Sequence, residues 1–208
     1  MPGRAPLLRT ALLAAALLTA CGTTPEAVAP AAAPTTAAKS PAATPSPKAA
    51  VSVGGPGTAC ALPVSFSLME GWEPETVEKP DDPDFAALVE QGPATIVCEA
   101  KSEGTPDIGF VRVWTAPKGP VRGALKAFVE EDESKELVLT DVKAGAVPAV
   151  EARYSVYSAL DEAWRDGRSF AVAAPKGTVV IVELGGLDAE EDAVVAAYEL
   201  AKSTLKLT

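Results

Sequence analysis

The feature that most limits what this chain can fold into is a change of composition at about residue 57. Residues 22–57 contain eleven Ala, seven Pro and five Thr, with three charged side chains and no aromatic residue. Such a segment has too few large apolar side chains to offset the entropy lost on ordering, so we expect residues 21–57 to be a disordered linker. Its reach is about 40 Å as a flexible coil and about 110 Å as polyproline II. The globular domain is therefore predicted over residues 58–208.

The first twenty residues have the organisation of a secretory signal peptide. Arg4 and Arg9 form a positively charged region, residues 11–18 (ALLAAALL) form a short apolar region, and two small residues follow. The apolar run is too short for a membrane-spanning helix, which needs about 20 residues. We therefore interpret residues 1–20 as a signal peptide that is removed on export.

The signal peptide ends immediately before a cysteine. The segment Leu18-Thr19-Ala20-Cys21 resembles the bacterial lipobox, in which the cysteine thiol receives a diacylglycerol and the chain is cleaved before it. This resemblance implies that Cys21 carries fatty acyl chains such as palmitate, and two such chains hold a protein stably on a membrane. It places the protein at the outer face of the cytoplasmic membrane. The alternative is an ordinary secreted protein in which Cys21 is incidental.

The predicted globular domain is strongly acidic. It holds 27 of the 28 Asp and Glu residues and 14 of the 18 Lys and Arg residues, which gives a formal charge of −13. A surface of this charge repels phosphate backbones and anionic lipids. We therefore expect no nucleic-acid partner, and we expect membrane contact through the lipid on Cys21 alone. Acidity does not identify a protein partner.

Two cysteines remain in the domain, Cys60 and Cys98. Export places them in an oxidising compartment, where paired thiols form disulfides, so we predict a Cys60–Cys98 bridge. The alternatives are two separate buried thiols or a metal-binding pair. The sequence contains no histidine, so two thiolates alone would leave a zinc ion without enough ligands. We expect no metal and no cofactor.

The hydrophobic pattern predicts an α+β domain. Val64, Phe66 and Leu68 alternate with serines in a half-buried strand, and Trp72–Val77 is interpreted as its antiparallel partner. Further strands are predicted at residues 94–101 and 108–115. The spacing of Val121, Ala124, Leu125, Phe128 and Val129 predicts one face of a helix.

The last sixty residues predict a three-stranded meander followed by a helix. The strands are expected at residues 150–157, 170–174 and 179–184, with an Asp166-Gly167 hairpin turn between the first two. Asp188, with Glu191 three residues later, is interpreted as the cap of the final helix. Together these elements predict an antiparallel β-sheet with helices packed on it.

Phe66, the Gly71-Trp72 pair and the closing meander and helix resemble the PsbP-like fold. This fold is shared by an extrinsic photosystem II subunit, a Ran-binding import factor and exported lipoproteins of the LpqN type. The resemblance covers roughly residues 62–207. It implies a role in binding or assembly, and it carries no shared catalytic residues over to this chain.

Few residues suggest a chemical site. Without histidine, Ser-His-Asp and Cys-His catalysis are excluded. Gly185-Gly186 precedes a helix and has the geometry of an anion site, but the acidic residues that follow favour an ordinary helix start. Tyr157 and Trp164 lie on or near adjacent strands and are candidates for lining a binding groove; the alternative is packing against a covering helix.

We therefore expect a membrane-anchored, non-enzymatic binding or accessory module of the cell envelope. One alternative is a carboxylate-based hydrolase, which requires two carboxyl groups about 5–10 Å apart in a cleft. Another is a binder of an apolar small molecule, which requires an unfilled apolar cavity between the sheet and a helix.

Overall fold

The computed structural model describes residues 49–208, which form two antiparallel β-sheets and three α-helices. The predicted signal peptide at residues 1–20, Cys21 and the linker up to residue 48 lie outside the described residues. The strands are β1 (Ala49–Val53), β2 (Val64–Met69), β3 (Trp72–Thr76), β4 (Glu90–Gln91), β5 (Ala94–Ser102), β6 (Phe110–Ala116), β7 (Ser134–Ala144), β8 (Val147–Ser158), β9 (Ala163–Ala173), β10 (Val179–Gly185) and β11 (Lys206–Leu207). The helices are α1 (Pro83–Ala86), α2 (Val121–Glu131) and α3 (Asp192–Thr204), and 3₁₀ turns lie at Ala87–Val89 and Pro175–Gly177.

The large sheet has the strand order β3-β5-β6-β10-β9-β8-β7, and the short β4 pairs with β5. Strand β10 is central, and its valines and isoleucine are buried on both faces, as its continuous apolar sequence predicts. The predicted α+β class, an antiparallel sheet with packed helices, is confirmed. Across residues 49–208, no helix has the length and apolar character needed to cross a membrane.

The small sheet has the order β1-β2-β11 and corrects two predictions. The folded part begins before the predicted boundary at residue 57, because β1 pairs with β2 and buries Val53 completely. Strand β3 does not pair with β2, since both edges of β2 are occupied by β1 and β11. After the turn at Gly71 the chain instead crosses to the large sheet, where β3 pairs with β5.

One face of the large sheet is covered by α3 and the small sheet. Tyr198 of α3 is fully buried and contacts the Phe170 ring edge to face, with the ring centroids 5.5 Å apart. A partly buried ion pair also joins α3 to β8, because Lys202 Nζ donates to Glu151 Oε1 at 2.7 Å. The Cys60–Cys98 disulfide lies in the same core and joins the segment before β2 to β5, as predicted.

Helix α2 covers part of the opposite face. Its buried side chains are Leu125, Phe128 and Val129, which confirm the predicted stripe. Phe128 contacts the indole of Trp114 edge to face, with the centroids 5.2 Å apart. This second core includes apolar residues of β5, β6, β8, β9 and β10.

Three local predictions in the C-terminal half are wrong. Strand β7 was not predicted, so the meander has four strands, β7 to β10. Asp166 and Gly167 lie inside β9 and not in a turn, because Gly167 pairs with Tyr154, whose ring occupies the space of a side chain at residue 167. Asp188 does not cap α3: its carboxylate accepts a hydrogen bond from the Ile108 N–H at 2.7 Å, and α3 begins at Asp192.

Candidate ligand-binding groove

A groove lies on the large sheet beyond the C-terminal end of α2. The helix ends at Glu131, and past that point the same face of the sheet carries polar side chains instead of an apolar core. The cavity there has a volume of about 180 Å³. We call it the Glu183 groove, and its main polar and aromatic lining residues are Glu183, Arg112, Asp132, Tyr154, Tyr157 and Arg165.

The floor of the groove is built by strand register. Glu99 of β5, Arg112 of β6, Glu183 of β10 and Ser169 of β9 lie directly opposite one another in neighbouring strands. Arg112 Nε donates to Glu99 Oε2 at 2.6 Å, and the Arg112 guanidinium lies 3.9 Å from the centroid of the Phe110 ring. Its ion-pair partner in the described part of the chain is therefore Glu99 and not Glu183.

Glu183 is the central group of the floor. Trp114 Nε1 donates to Glu183 Oε2 at 3.0 Å, and no group among residues 49–208 donates to the other carboxylate oxygen. Burial raises the pKa of Glu183 to about 7, against the lowering effects of the Arg112 charge and the Trp114 hydrogen bond. The carboxyl group therefore changes its charge close to neutral pH.

Tyr154 and Asp132 form two sides of the groove. The Tyr154 hydroxyl lies 3.1 Å from the hydroxyl of the buried Ser169, and burial raises the pKa of the phenol. Asp132 follows the last residue of α2 and accepts a hydrogen bond from Gln91 Nε2 at 2.9 Å. Burial of its carboxyl group and the nearby Glu131 charge raise the pKa of Asp132.

The rim is formed by the start of β9 and the loop after β10. Arg165 forms an ion pair with Asp161, and its Nη1 donates to the Leu187 carbonyl at 3.2 Å. Gly185 and Gly186 have a packing role here. A Cβ at Gly185 would overlap the Phe110 ring, and a Cβ at Gly186 would overlap the Ile108 carbonyl. Close approach of the backbone explains these glycines, so the anion-site hypothesis loses its support.

The structure brings Tyr157 and Trp164 together as a directly opposed pair of β8 and β9. Their rings contact edge to face, with centroids 5.6 Å apart. Tyr157 lines the Glu183 groove, whereas Trp164 lies outside the lining and is 41% exposed. Lys135 Nζ lies 3.8 Å from the Trp164 ring centroid, a cation–π geometry.

Sequence reasoning did not place Glu183, Arg112 and Asp132 in one site. The one signal for Glu183 is a single carboxylate inside the buried strand Val179–Gly185, where an acidic residue requires a polar environment. Neither Arg112 nor Asp132 is distinctive in sequence, because their neighbours in the groove come from distant segments.

Other sites are less developed within the described residues. No group of three or more Cys, Asp or Glu side chains there has the arrangement of a metal site. A depression of about 710 Å³ lies at the C-terminal end of α3, between residues 145–147 and 203–207. It is an open surface depression and not an enclosed cavity between sheet and helix.

Comparison with known proteins identifies the class. The chain is a lipoprotein: the sequence model of the Lipoprotein_23 family, described as uncharacterised lipoprotein, matches residues 29–205. The chain belongs to this family, which confirms the predicted lipoprotein class. None of the curated proteins matches the sequence. Among solved structures, the fold is similar to that of LpqN, which is described as involved in cell envelope biogenesis of Mycobacterium tuberculosis. The two sequences are 12% identical, and the TM-score is 0.47. The match covers 76% of this chain and 90% of the LpqN chain.

Proposed function

We propose that this lipoprotein is a non-enzymatic binding module of the cell envelope, anchored at the outer face of the cytoplasmic membrane by lipid on Cys21. The observation that supports a binding role is the Glu183 groove. One oxygen of the Glu183 carboxylate accepts from Trp114, the other has no hydrogen-bond donor from residues 49–208, and two tyrosines line the same groove. Pockets that bind small molecules combine apolar walls with a few convergent polar groups of this kind.

The anchoring part of the proposal rests on the sequence. The segment from Leu18 to Cys21 has the lipobox pattern, and the matching lipoprotein family covers residues 29–205. A domain with a formal charge of −13 is repelled by anionic lipid headgroups. Lipid attachment is therefore the interaction that would hold this domain at the membrane.

A carboxylate-based hydrolase is the second candidate function. One observation favours it: Glu183 and Asp132 both line the groove, and both have a raised pKa, as a general acid does. However, the groove has a volume of about 180 Å³, below the range of roughly 300–1,000 Å³ that is common for ligand pockets. A space of this size accommodates one chemical group of a larger ligand. A hydrolase has to hold the substrate on both sides of the bond that it cleaves, so the small volume favours binding over hydrolysis.

The binding proposal is tested by photo-crosslinking in intact cells. A benzophenone amino acid replaces Tyr157, which lines the groove, and a matched control replaces the exposed Phe85 in α1. We expect a defined adduct from position 157 and none from position 85. The same adducts from both positions, or none from either, would contradict the proposal. An adduct that carries only a fragment of the ligand in the wild-type protein, and the intact ligand in Glu183→Gln, would support hydrolysis instead.

The anchoring proposal is tested by fractionation and intact-mass measurement. The wild-type protein should start at Cys21 with added acyl mass and should remain with membranes at high salt, because charge-based attachment is screened while lipid insertion is not. Cys21→Ala should lose the acyl mass and the salt-resistant attachment. A mature protein without lipid mass would refute the assignment.

A further inference from the structure

We propose that the Glu183 groove binds a protonated organic amine. This inference rests on the proposed function, in which the groove is a ligand site, and it adds the chemical class of the ligand. It is derived from which charges of the groove are already paired, from the aromatic walls and from the size of the cavity.

Both cations of the groove have an ion-pair partner, although Glu99, the partner of Arg112, also pairs with Lys101. Arg112 is paired with Glu99, and Arg165 is paired with Asp161. Glu183 and Asp132 have no ion-pair partner among the described residues, although the Arg112 charge also acts on Glu183 from the neighbouring strand. Glu183 and Asp132 receive hydrogen bonds from the neutral groups of Trp114 and Gln91, respectively.

A third acidic residue, Asp166, also contributes to the lining, and no described cation lies within ion-pair distance of its carboxylate. The charges that remain available to a ligand are therefore negative. A cation is attracted to this site and an anion is repelled.

The geometry fits an ammonium group. The oxygen of Glu183 that Trp114 leaves free is an acceptor for a charged N–H donor, and hydrogen bonds to charged groups are stronger than neutral ones. Tyr154 and Tyr157 line the same cavity, and aromatic faces attract cations. The volume of about 180 Å³ suits an amine on a short carbon chain.

The affinity should depend on pH, because the charge of Glu183 does. The charged and titratable groups around it are Arg112 and Glu99 on β6 and β5, Asp132 after α2, and Tyr154 on β8. With a pKa of about 7, Glu183 becomes an anion as the pH rises from 6 to 8, while an alkylamine stays protonated. Amine binding should therefore strengthen over this range.

The test is calorimetric titration of the full-length lipoprotein in detergent with 1,5-diaminopentane. The controls are pentane-1,5-diol, which has no charge, and glutarate, which is an anion of similar length. We expect the diamine to bind with one-to-one stoichiometry, at least about tenfold more tightly than either control, and more tightly at pH 8 than at pH 6. Equal binding of glutarate, or no change with pH, would overturn the inference.

Matched variants locate the site. Glu183→Gln keeps a carbonyl acceptor for Trp114 and removes the charge, so it should weaken diamine binding about tenfold and abolish the pH dependence. Glu103→Gln removes one exposed charge outside the groove and should leave binding unchanged. Equal effects of the two variants would show that only the overall charge of the domain matters, and the inference would fail.

The outcome separates this inference from the proposed function. If the diamine does not bind but the position-157 adduct is still formed, the amine assignment is wrong and the groove remains a ligand site. If neither is observed, both proposals fail. Thermal unfolding of each variant, measured in the same buffer, shows whether it is folded.

Discussion

At the residue scale, Gly167 shows how one missing side chain shapes the groove. A Cβ at this position would overlap the Tyr154 ring, which lies over the strand and carries the hydroxyl that meets Ser169. The Asp-Gly pair predicts a turn from local chemistry alone. Here a tertiary contact determines the conformation, because a glycine inside a strand lets another group approach the backbone closely.

We therefore expect Gly167→Ala to destabilise the domain by about 1–3 kcal/mol, since the added methyl group must displace the Tyr154 ring. The matched control is Gly119→Ala, where a Cβ would meet a single atom at ordinary contact distance. Urea unfolding measures both variants. If Gly167→Ala is as stable as Gly119→Ala, the assigned role of the glycine is wrong.

Glu183 gives a prediction for stability against pH. Its pKa is raised from 4.5 to about 7 in the folded state, so the folded protein binds this proton more tightly than the unfolded chain does. The charged Glu183 carboxylate therefore lowers the free energy of unfolding. This destabilisation is absent below about pH 4.5, grows as the pH rises and is complete above about pH 7, where it is on the order of 3 kcal/mol.

Glu183→Gln should consequently stabilise the domain at pH 8 and have a much smaller effect at pH 5. Thermal unfolding at the two pH values measures the difference, and Glu103→Gln, which removes an exposed carboxylate, is the control. A Glu183→Gln effect of the same size at both pH values would contradict the raised pKa.

At the element scale, α2 connects the core to the groove. Phe128 is fully buried against Trp114, and Trp114 in turn donates to Glu183. We expect Phe128→Ala to cost about 3–5 kcal/mol in the free energy of unfolding, because it leaves a large cavity beneath the helix. It should also loosen the Trp114 indole, which intrinsic fluorescence measures. Phe85→Ala in α1 removes an exposed ring and should cost little.

Several elements were predictable because one face of each is apolar at a regular period, as in β2, β5 and α2, and β10 was predictable from its continuous apolar run. Strand β7 was not, and the reason is local geometry. Glu136 has a φ of 57°, and the register with β8 shifts between Lys135 and Val138. This β-bulge breaks the alternation of period two on which strand prediction depends, and β7 also lies at the edge of the sheet, with Val138 exposed.

At the scale of the whole molecule, a local motif can be predicted from the sequence, whereas a site assembled from distant segments cannot. The segment that resembles a lipobox is four consecutive residues, so the lipoprotein class could be predicted from the sequence alone. The groove is assembled from β6, β8, β9, β10 and the end of α2, and its members are adjacent through strand pairing. Strand pairing depends on the complete fold. The sequence positions of Glu183 and Arg112 therefore could not show that the two residues lie opposite each other in neighbouring strands.

The disulfide also acts at this scale, because it joins the segment before β2 to β5 of the large sheet. The chain-entropy model gives about 4 kcal/mol for a loop with a sequence separation of 38 residues. We expect the double variant Cys60→Ser/Cys98→Ser to lose a few kcal/mol of stability in urea unfolding. Reduction of the wild-type protein should have a similar effect, and no effect on the double variant.

The position of the disulfide has a mechanical consequence. Strand β1 is the first described element after the proposed tether, so tension on that tether would load the hydrogen bonds between β1 and β2 first. Peeling β1 away would leave β2 still paired with β11, and the force would then reach Cys60, which is covalently fixed to the large sheet. The disulfide should therefore halt unfolding that starts at the proposed tether. The residues that line the Glu183 groove follow Cys98 in the sequence, so this unfolding would not reach them.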